Sequence, residues 1–259
     1  MAELIAVWGS PNAGKTVFTM KLARYLSRKH SVYTVLADSV TPGLPVVFPK
    51  RKKEKLYSLG AALAAPDITR QEIEAVTVTV DSMNHAGFLG YTDKENRRSY
   101  PVNNDHRVRQ LLLLLMDMSD YVIVDCTSVP EQISAAAMQM ASTTFRIVTP
   151  DVKSHTFCAS QVPLLDELGI QAEAQVVVLN HTGKWVFSPD DAAKAAFDTN
   201  RTLPFSREIA EAFASGDLDE ALHDRRFNKQ FNRLMEACHF QGQTSPKRKP
   251  ILSRKGPKK

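Results

Sequence analysis

Apolar residues fall along this chain in short blocks separated by polar, glycine- and proline-containing turns, and the blocks are of two kinds. Leu4 to Trp8 is a continuous apolar run closed by Gly9, Ser10 and Pro11, too short for a helix, and reads as a buried strand. Val32 to Ala37, Tyr121 to Val124, Thr144 to Thr149 and Val176 to Leu179 are similar runs rich in β-branched residues; Val76 to Val80 and Phe88 to Tyr91 are further strand candidates. Between them lie stretches with helical spacing. Thr16 to Lys29 carries Val17, Met20, Leu22, Ala23 and Leu26, and Arg109 to Met118, His155 to Leu168, Pro189 to Phe197 and Glu208 to Ala214 read as helices too. Strand and helix in alternation predict the α/β class: a doubly wound, mainly parallel sheet with helices on both faces.

The chain has 259 residues, 43% of them hydrophobic, enough for one large domain over residues 1–240. From Gln241 the composition turns to Pro, Lys, Arg, Ser and Gly, which predicts a basic, disordered tail over 241–259. The run from Lys50 to Lys55 reads as a loop or an exposed helix end. No fixed-period repeat is visible.

Composition narrows the function classes. The longest apolar stretch, Leu111 to Met116, is far short of the roughly 20 residues that span a bilayer, and the first apolar run is too short for a signal core. A cytoplasmic protein is expected, with a peripheral place at the inner membrane face left open. Cys126, Cys158 and Cys238 are odd in number and far apart, which predicts buried, reduced thiols in place of disulfides or zinc ligands. His106, His155, His181 and His239 have no metal-ligand spacing. The net charge is +5, yet seven Lys or Arg and no acid stand between Pro246 and Lys259. The basic character therefore belongs mostly to the tail.

The sharpest signal is Gly9-Ser10-Pro11-Asn12-Ala13-Gly14-Lys15-Thr16, which fits G-x-x-x-x-G-K-[ST] after a strand and at the opening of a helix. Backbone N–H groups must close round phosphates there, so glycine stands where a side chain would collide, and the helix dipole favours the anion. In this pattern Lys15 reaches the β and γ phosphates, the Thr16 hydroxyl meets Mg²⁺, and Val17 follows in the first helical turn. A Gly-Pro turn entering a helix is the plainer alternative.

Two carboxylates follow strands and so come to the sheet's carboxyl edge, where ligands bind in open α/β sheets. Asp125 closes Tyr-Val-Ile-Val and is placed to hold Mg²⁺ through water, unless it only caps the next segment. Asp38 follows Leu36-Ala37 and is assigned to orienting the attacking water or the metal's water shell; an Asp starting the turn toward Pro42 and Gly43 is the other reading. Lys15, Asp38 and Asp125 are thus the candidate catalytic set, and Thr16, Asp38 and Asp125 the candidate metal set.

The order of these features resembles the MinD, ParA and CpaE family of P-loop ATPases, over nearly the whole chain up to Phe240. The phosphate loop, the Asp38 turn and Val-Ile-Val-Asp125 come in that family's order. So do Ile147-Val-Thr-Pro-Asp151, Val176-Val-Val-Leu-Asn180 and Leu203-Pro-Phe-Ser-Arg-Glu-Ile209 before Gly216. The resemblance implies ATP or ADP with Mg²⁺ as ligands, an adenine edge read by Asn180 with Pro204 and Phe205 close by, and a nucleotide-dependent homodimer. It also implies a protein partner, here that of a pilus, secretion or conjugation apparatus in the style of the CpaE-like members; DNA partitioning in the style of ParA is the alternative. Two departures stand out. Ser10 occupies the second loop position, where the family usually has a lysine that reaches across the dimer, which also leaves room for a nucleotide-binding module with little hydrolysis; Lys153 is a conceivable substitute. Leu36-Ala37-Asp38 keeps one carboxylate where the family often has two. The tail has charge enough to meet DNA or an anionic membrane, while its three prolines oppose an amphipathic membrane helix.

Overall fold

The computed structural model describes residues 2–50, 58–96, 98–100, 104–171, 173–181, 183 and 197–240. They form an eight-stranded sheet: β1 (Glu3–Gly9), β2 (Val32–Leu36), β3 (Val78–Thr79), β4 (Ala86–Gly90), β5 (Tyr121–Asp125), β6 (Thr143–Val148), β7 (Val176–Asn180) and β8 (Thr202–Leu203). Their spatial order is β3-β4-β2-β5-β1-β6-β7-β8. Every pairing is parallel except β3 with β4. Parallel strands need both faces covered, which is why these runs are continuously apolar.

The helices are α1 (Lys15–Leu26), α2 (Gly43–Val47), α3 (Leu59–Ala64), α4 (Arg70–Val76), α5 (Asp105–Met118), α6 (Gln132–Met140), α7 (Val152–Glu167), α8 (Arg207–Ser215) and α9 (Arg225–Ala237). Alternation along β1 divides the core. Ile5 and Val7 pack with Phe18 and Leu22 of α1 and Phe231 and Met235 of α9. Leu4, Ala6 and Trp8 pack on the other face with Leu111 and Leu115 of α5 and Ile133 and Ala137 of α6. The doubly wound expectation holds.

Several boundaries differ from the sequence reading, among them the start of α5, expected at Arg109 and found at Asp105, where the Asn104 side chain accepts from Arg107 N at 2.9 Å and caps the helix. Thr69 and Glu72 form a reciprocal capping box that starts α4, and the helix runs through Val76, so the strand expected over Val76 to Val80 shrinks to the antiparallel Val78–Thr79. The helix expected from His155 begins earlier, at Val152, because the Asp151 carboxylate accepts from Ser154 N at 2.8 Å and caps it. Residues 51–55, 189–196 and 241–259, which carry part of the Lys50 run, most of one expected helix and the tail, lie outside the described residues. Cys126 and Cys158 are buried and Cys238 is half-buried, a small departure from three buried thiols; none is paired. No helix among the described residues is long and apolar enough to cross a membrane.

Candidate functional site

β1 lies between β5 and β6, so its carboxyl end opens at the middle of the sheet edge. The turn that follows is tightly built. Gly9 has φ +145°, and a Cβ there would stand 1.9 Å from the carbonyl oxygen of Ile147. Only glycine fits. Ser10 N donates to that same carbonyl at 3.1 Å, Ala13 N closes the loop on Ser10 O at 3.3 Å, and Asn12 and Gly14 both take positive φ.

Gly14 is the N-cap of α1, and no side chain caps this helix. Six other helices, α3, α4, α5, α7, α8 and α9, do have a side-chain cap on their first turn. The first N–H groups of α1 instead border a cavity of about 530 Å³ lined by Gly14, Lys15, Thr16 and Val17. A helix end of this kind, with a glycine cradle, suits an anion.

Charged side chains converge at the same place. Thr16 Oγ1 donates to Asp125 Oδ2 at 2.6 Å, and Thr19 Oγ1 stands 3.5 Å from the other carboxylate oxygen. Lys15 Nζ donates to Ser10 O at 3.2 Å and to Ser128 Oγ at 2.7 Å. Burial pushes the Lys15 ammonium below its ordinary pKa, against the opposing pull of Asp125, Cys126 and Asp38. Burial likewise pushes Asp125 up to about 6, opposed by the Thr16 hydrogen bond and by Lys15. Each group bears a desolvation cost that a counter-ion offsets: a phosphate for the lysine, a divalent cation for the carboxylate. A hydroxyl and one carboxylate are a sparse protein donor set, which fits Mg²⁺, since that ion keeps water and phosphate oxygens as most of its ligands. No larger His, Cys, Asp or Glu cluster able to hold a metal is present among the described residues.

The cavity brings together most of the residues singled out in the sequence. Pro11, Asn12, Gly14, Lys15, Thr16, Val17, Asp38, Asp125, Asn180, Pro204 and Phe205 all line it. Asp38 Oδ1 accepts from Val40 N and Thr41 N at 2.8 and 2.9 Å, so the carboxylate also shapes its own turn. Asn180 Nδ2 donates to Ala13 O at 2.7 Å and ties β7 to the phosphate loop.

Gly9, Ser10 and Ala13 shape the loop but do not line the large cavity. The Ser10 side chain is buried and meets Ser154 Oγ at 2.7 Å, and Ser154 Oγ in turn accepts from Thr149 N at 3.1 Å. Lys153 is exposed and borders a separate small cavity with Ser10, Pro11 and Asn12. Sequence reasoning missed Ser128, which touches Lys15 from 113 positions away, and the apolar lining residues Ile209, Phe213 and Phe227. Ser128 carries no motif. Phe227 does carry a signal: with Phe231, Leu234 and Met235 it has the spacing of a buried helical stripe.

No protein-family model and no curated protein matches the chain. Solved structures do. The septum site-determining protein MinD from Pyrococcus horikoshii OT3, complexed with Mg-ADP, is similar over 93% of this chain and 99% of its own, with a TM-score of 0.69 and 16% identity. A ParA family ATPase from Chlorobium tepidum TLS covers 93% and 99%, at TM-score 0.72 and 14% identity. The fold is that of the MinD and ParA ATPases. A further example of this fold, a putative plasmid partition protein from Borrelia burgdorferi B31 bound to AMPPNP, covers 91% and 98%, at TM-score 0.69 and 12% identity. The MinD/ParA architecture thus extends over nearly the full length of the chain, at a sequence identity of 16% or less to these three structures.

Proposed function

We propose that this chain binds ATP with Mg²⁺ and hydrolyses it slowly, under stimulation by a partner protein. The observation that carries the reading is the uncapped N-terminus of α1 facing a cavity into which Lys15, Thr16 and Asp125 all project. When bound, Mg²⁺ would supply electrostatic stabilisation of charge on the phosphates. Thr16 and Asp125 are the residues to hold it, with Asp38 at the metal's water shell or the attacking water. Lys15 neutralises phosphate charge, and the Gly9 to Gly14 loop wraps the phosphates with main-chain donors.

A nucleotide-dependent homodimer belongs to the same proposal. Val40, Val129 and Val152 are 70%, 55% and 81% exposed and follow β2, β5 and β6 respectively, the first two on loops and Val152 as the first residue of α7, so three apolar side chains stand at the sheet edge that bears the cavity. A second copy meeting this edge would cover them. The family's cross-dimer lysine has no counterpart at Ser10, whose side chain is committed to Ser154. Hydrolysis therefore depends more heavily on Lys15, Asp38 and the partner protein. We assign the coupled process to assembly or positioning of a pilus, secretion or conjugation apparatus at the inner face of the membrane, on the strength of the motif order.

A second reading, DNA partitioning, is favoured by α9. Its outer face exposes Arg225, Arg226, Lys229 and Arg233, and the basic segment 241–259 follows this helix in the chain. Such a surface suits the DNA backbone. Phosphate release at saturating MgATP, with and without duplex DNA, tests both: DNA-independent turnover that requires a protein partner supports assembly, and DNA-stimulated turnover supports partitioning. No turnover under any condition overturns the ATPase proposal. Asp38→Ala is expected to slow turnover more than it weakens binding.

A further inference from the structure

Lys15 makes two hydrogen bonds among the described residues, and the shorter goes outside the phosphate loop: 2.7 Å to Ser128 Oγ against 3.2 Å to Ser10 O. Ser128 is half-buried on the turn between β5 and α6 and is held there from two sides. Its carbonyl accepts from Trp8 Nε1 at 2.9 Å, and Trp8 is fully buried in β1, one residue before Gly9. An indole N–H in the core needs an acceptor, and here it takes the Ser128 backbone. On the other side, Thr127 N donates to Ser134 Oγ of α6 at 2.9 Å. The hydroxyl that meets Lys15 is therefore fixed by β1 and α6 together.

An ammonium has three N–H donors, and two of those of Lys15 are engaged in these contacts. A lysine that serves both the β and γ phosphates needs two, so one present contact must be given up. Ser10 O belongs to the loop that wraps the same phosphates, and Lys15 can keep it while it meets them. Ser128 lines the cavity from a different loop, and its hydroxyl offers a dipole where a phosphate oxygen offers charge. Resting on the ATP-binding reading above, we infer that Ser128 is a built-in competitor of phosphate for the Lys15 ammonium. Binding of a nucleotide breaks the hydrogen bond between them, and the serine sets the affinity of the site below what the phosphate loop alone would give.

The test is calorimetric titration of MgATP and of magnesium tripolyphosphate, which has the phosphates and no base, into wild type, Ser128→Ala and Ser128→Thr. Ser128→Ala is expected to bind both ligands about tenfold more tightly, the worth of one hydrogen bond to a charged group. Ser128→Thr keeps the hydroxyl and binds as wild type does. A change that merely damaged the loop would weaken binding, so the direction separates competition from a structural role. A urea-denaturation cycle without nucleotide checks the contact itself: Ser128→Ala destabilises wild type more than it destabilises Lys15→Met, which has no ammonium to strand. If Ser128→Ala binds either ligand at wild-type affinity or more weakly, or if the cycle is additive, the competition is overturned while the phosphate site stands. If wild type binds neither ligand, the nucleotide reading falls and takes this inference with it.

Discussion

Thr16 donates its hydroxyl to Asp125 across 2.6 Å, joining the first turn of α1 to the last residue of β5 over 109 positions of sequence. The two residues meet because β5 pairs directly with β1, in the register that sets Asp125 beside Val7, two residues before the phosphate loop. Sheet order therefore builds the position proposed for magnesium.

Asp125→Ala should remove the advantage that Mg²⁺ gives to nucleotide binding. ATP titrated into the variant is expected to bind with the same affinity in magnesium as in chelator, while wild type binds more tightly with the metal. A variant that keeps the wild-type magnesium dependence would release Asp125 from its role.

Gly9→Ala should be among the most damaging single changes to the loop. Its Cβ would collide with the Ile147 carbonyl at 1.9 Å, and a φ of +145° is strained for any side chain. A loss of about 3 kcal/mol or more in urea denaturation is expected, at the upper end for point variants. A fully stable variant would mean that the turn is built differently.

Ser10 and Ser154 share a buried hydrogen bond of 2.7 Å, so removing one hydroxyl strands the other. Ser10→Ala and Ser154→Ala are each expected to cost about 1 to 3 kcal/mol, and the double variant less than the sum of the two. Strict additivity in a denaturation cycle would show that the contact contributes nothing to stability.

Much of this architecture was legible because parallel strands advertise themselves. Runs such as Tyr121 to Val124 are apolar at every position, since both faces of the sheet are covered, and the phosphate loop announces its own turn. The shorter helices were harder. Gly43–Val47 holds a proline and two β-branched residues, a composition that favours no helix, and it forms only where Leu44 and Val47 bury against the sheet. The capping box of Thr69 and Glu72 and the Phe227, Phe231, Leu234 stripe are local signals from which α4 and α9 can be read. The contacts of Lys15 with Ser128 and of Ser10 with Ser154 have no local signal at all. They exist only once distant loops meet at one sheet edge.

Lys21 predicts a pH dependence of stability. Only 6% exposed, it has one long hydrogen bond among the described residues, to the Glu220 carbonyl at 3.5 Å, and burial lowers its pKa to about 8 from 10.5. Between those two values the unfolded chain holds a proton that the folded chain has released, so stability should rise with pH, by at most about 1.4 kcal/mol per unit. Lys21→Met is expected to raise the melting temperature at pH 7 and to flatten this rise. A variant that melts lower at pH 7 would show that the lysine stabilises the fold where it sits.

A nucleotide's phosphates and its metal are proposed to lie between the Gly9 to Thr16 loop and Asp125. Calorimetric titration of MgATP into wild type and Lys15→Ala tests it most directly. Saturable binding at one site per chain is expected in wild type and its loss in the variant, with the two proteins melting within a few degrees of each other in the absence of nucleotide. Equal affinity in both proteins, or no binding to wild type, would contradict it.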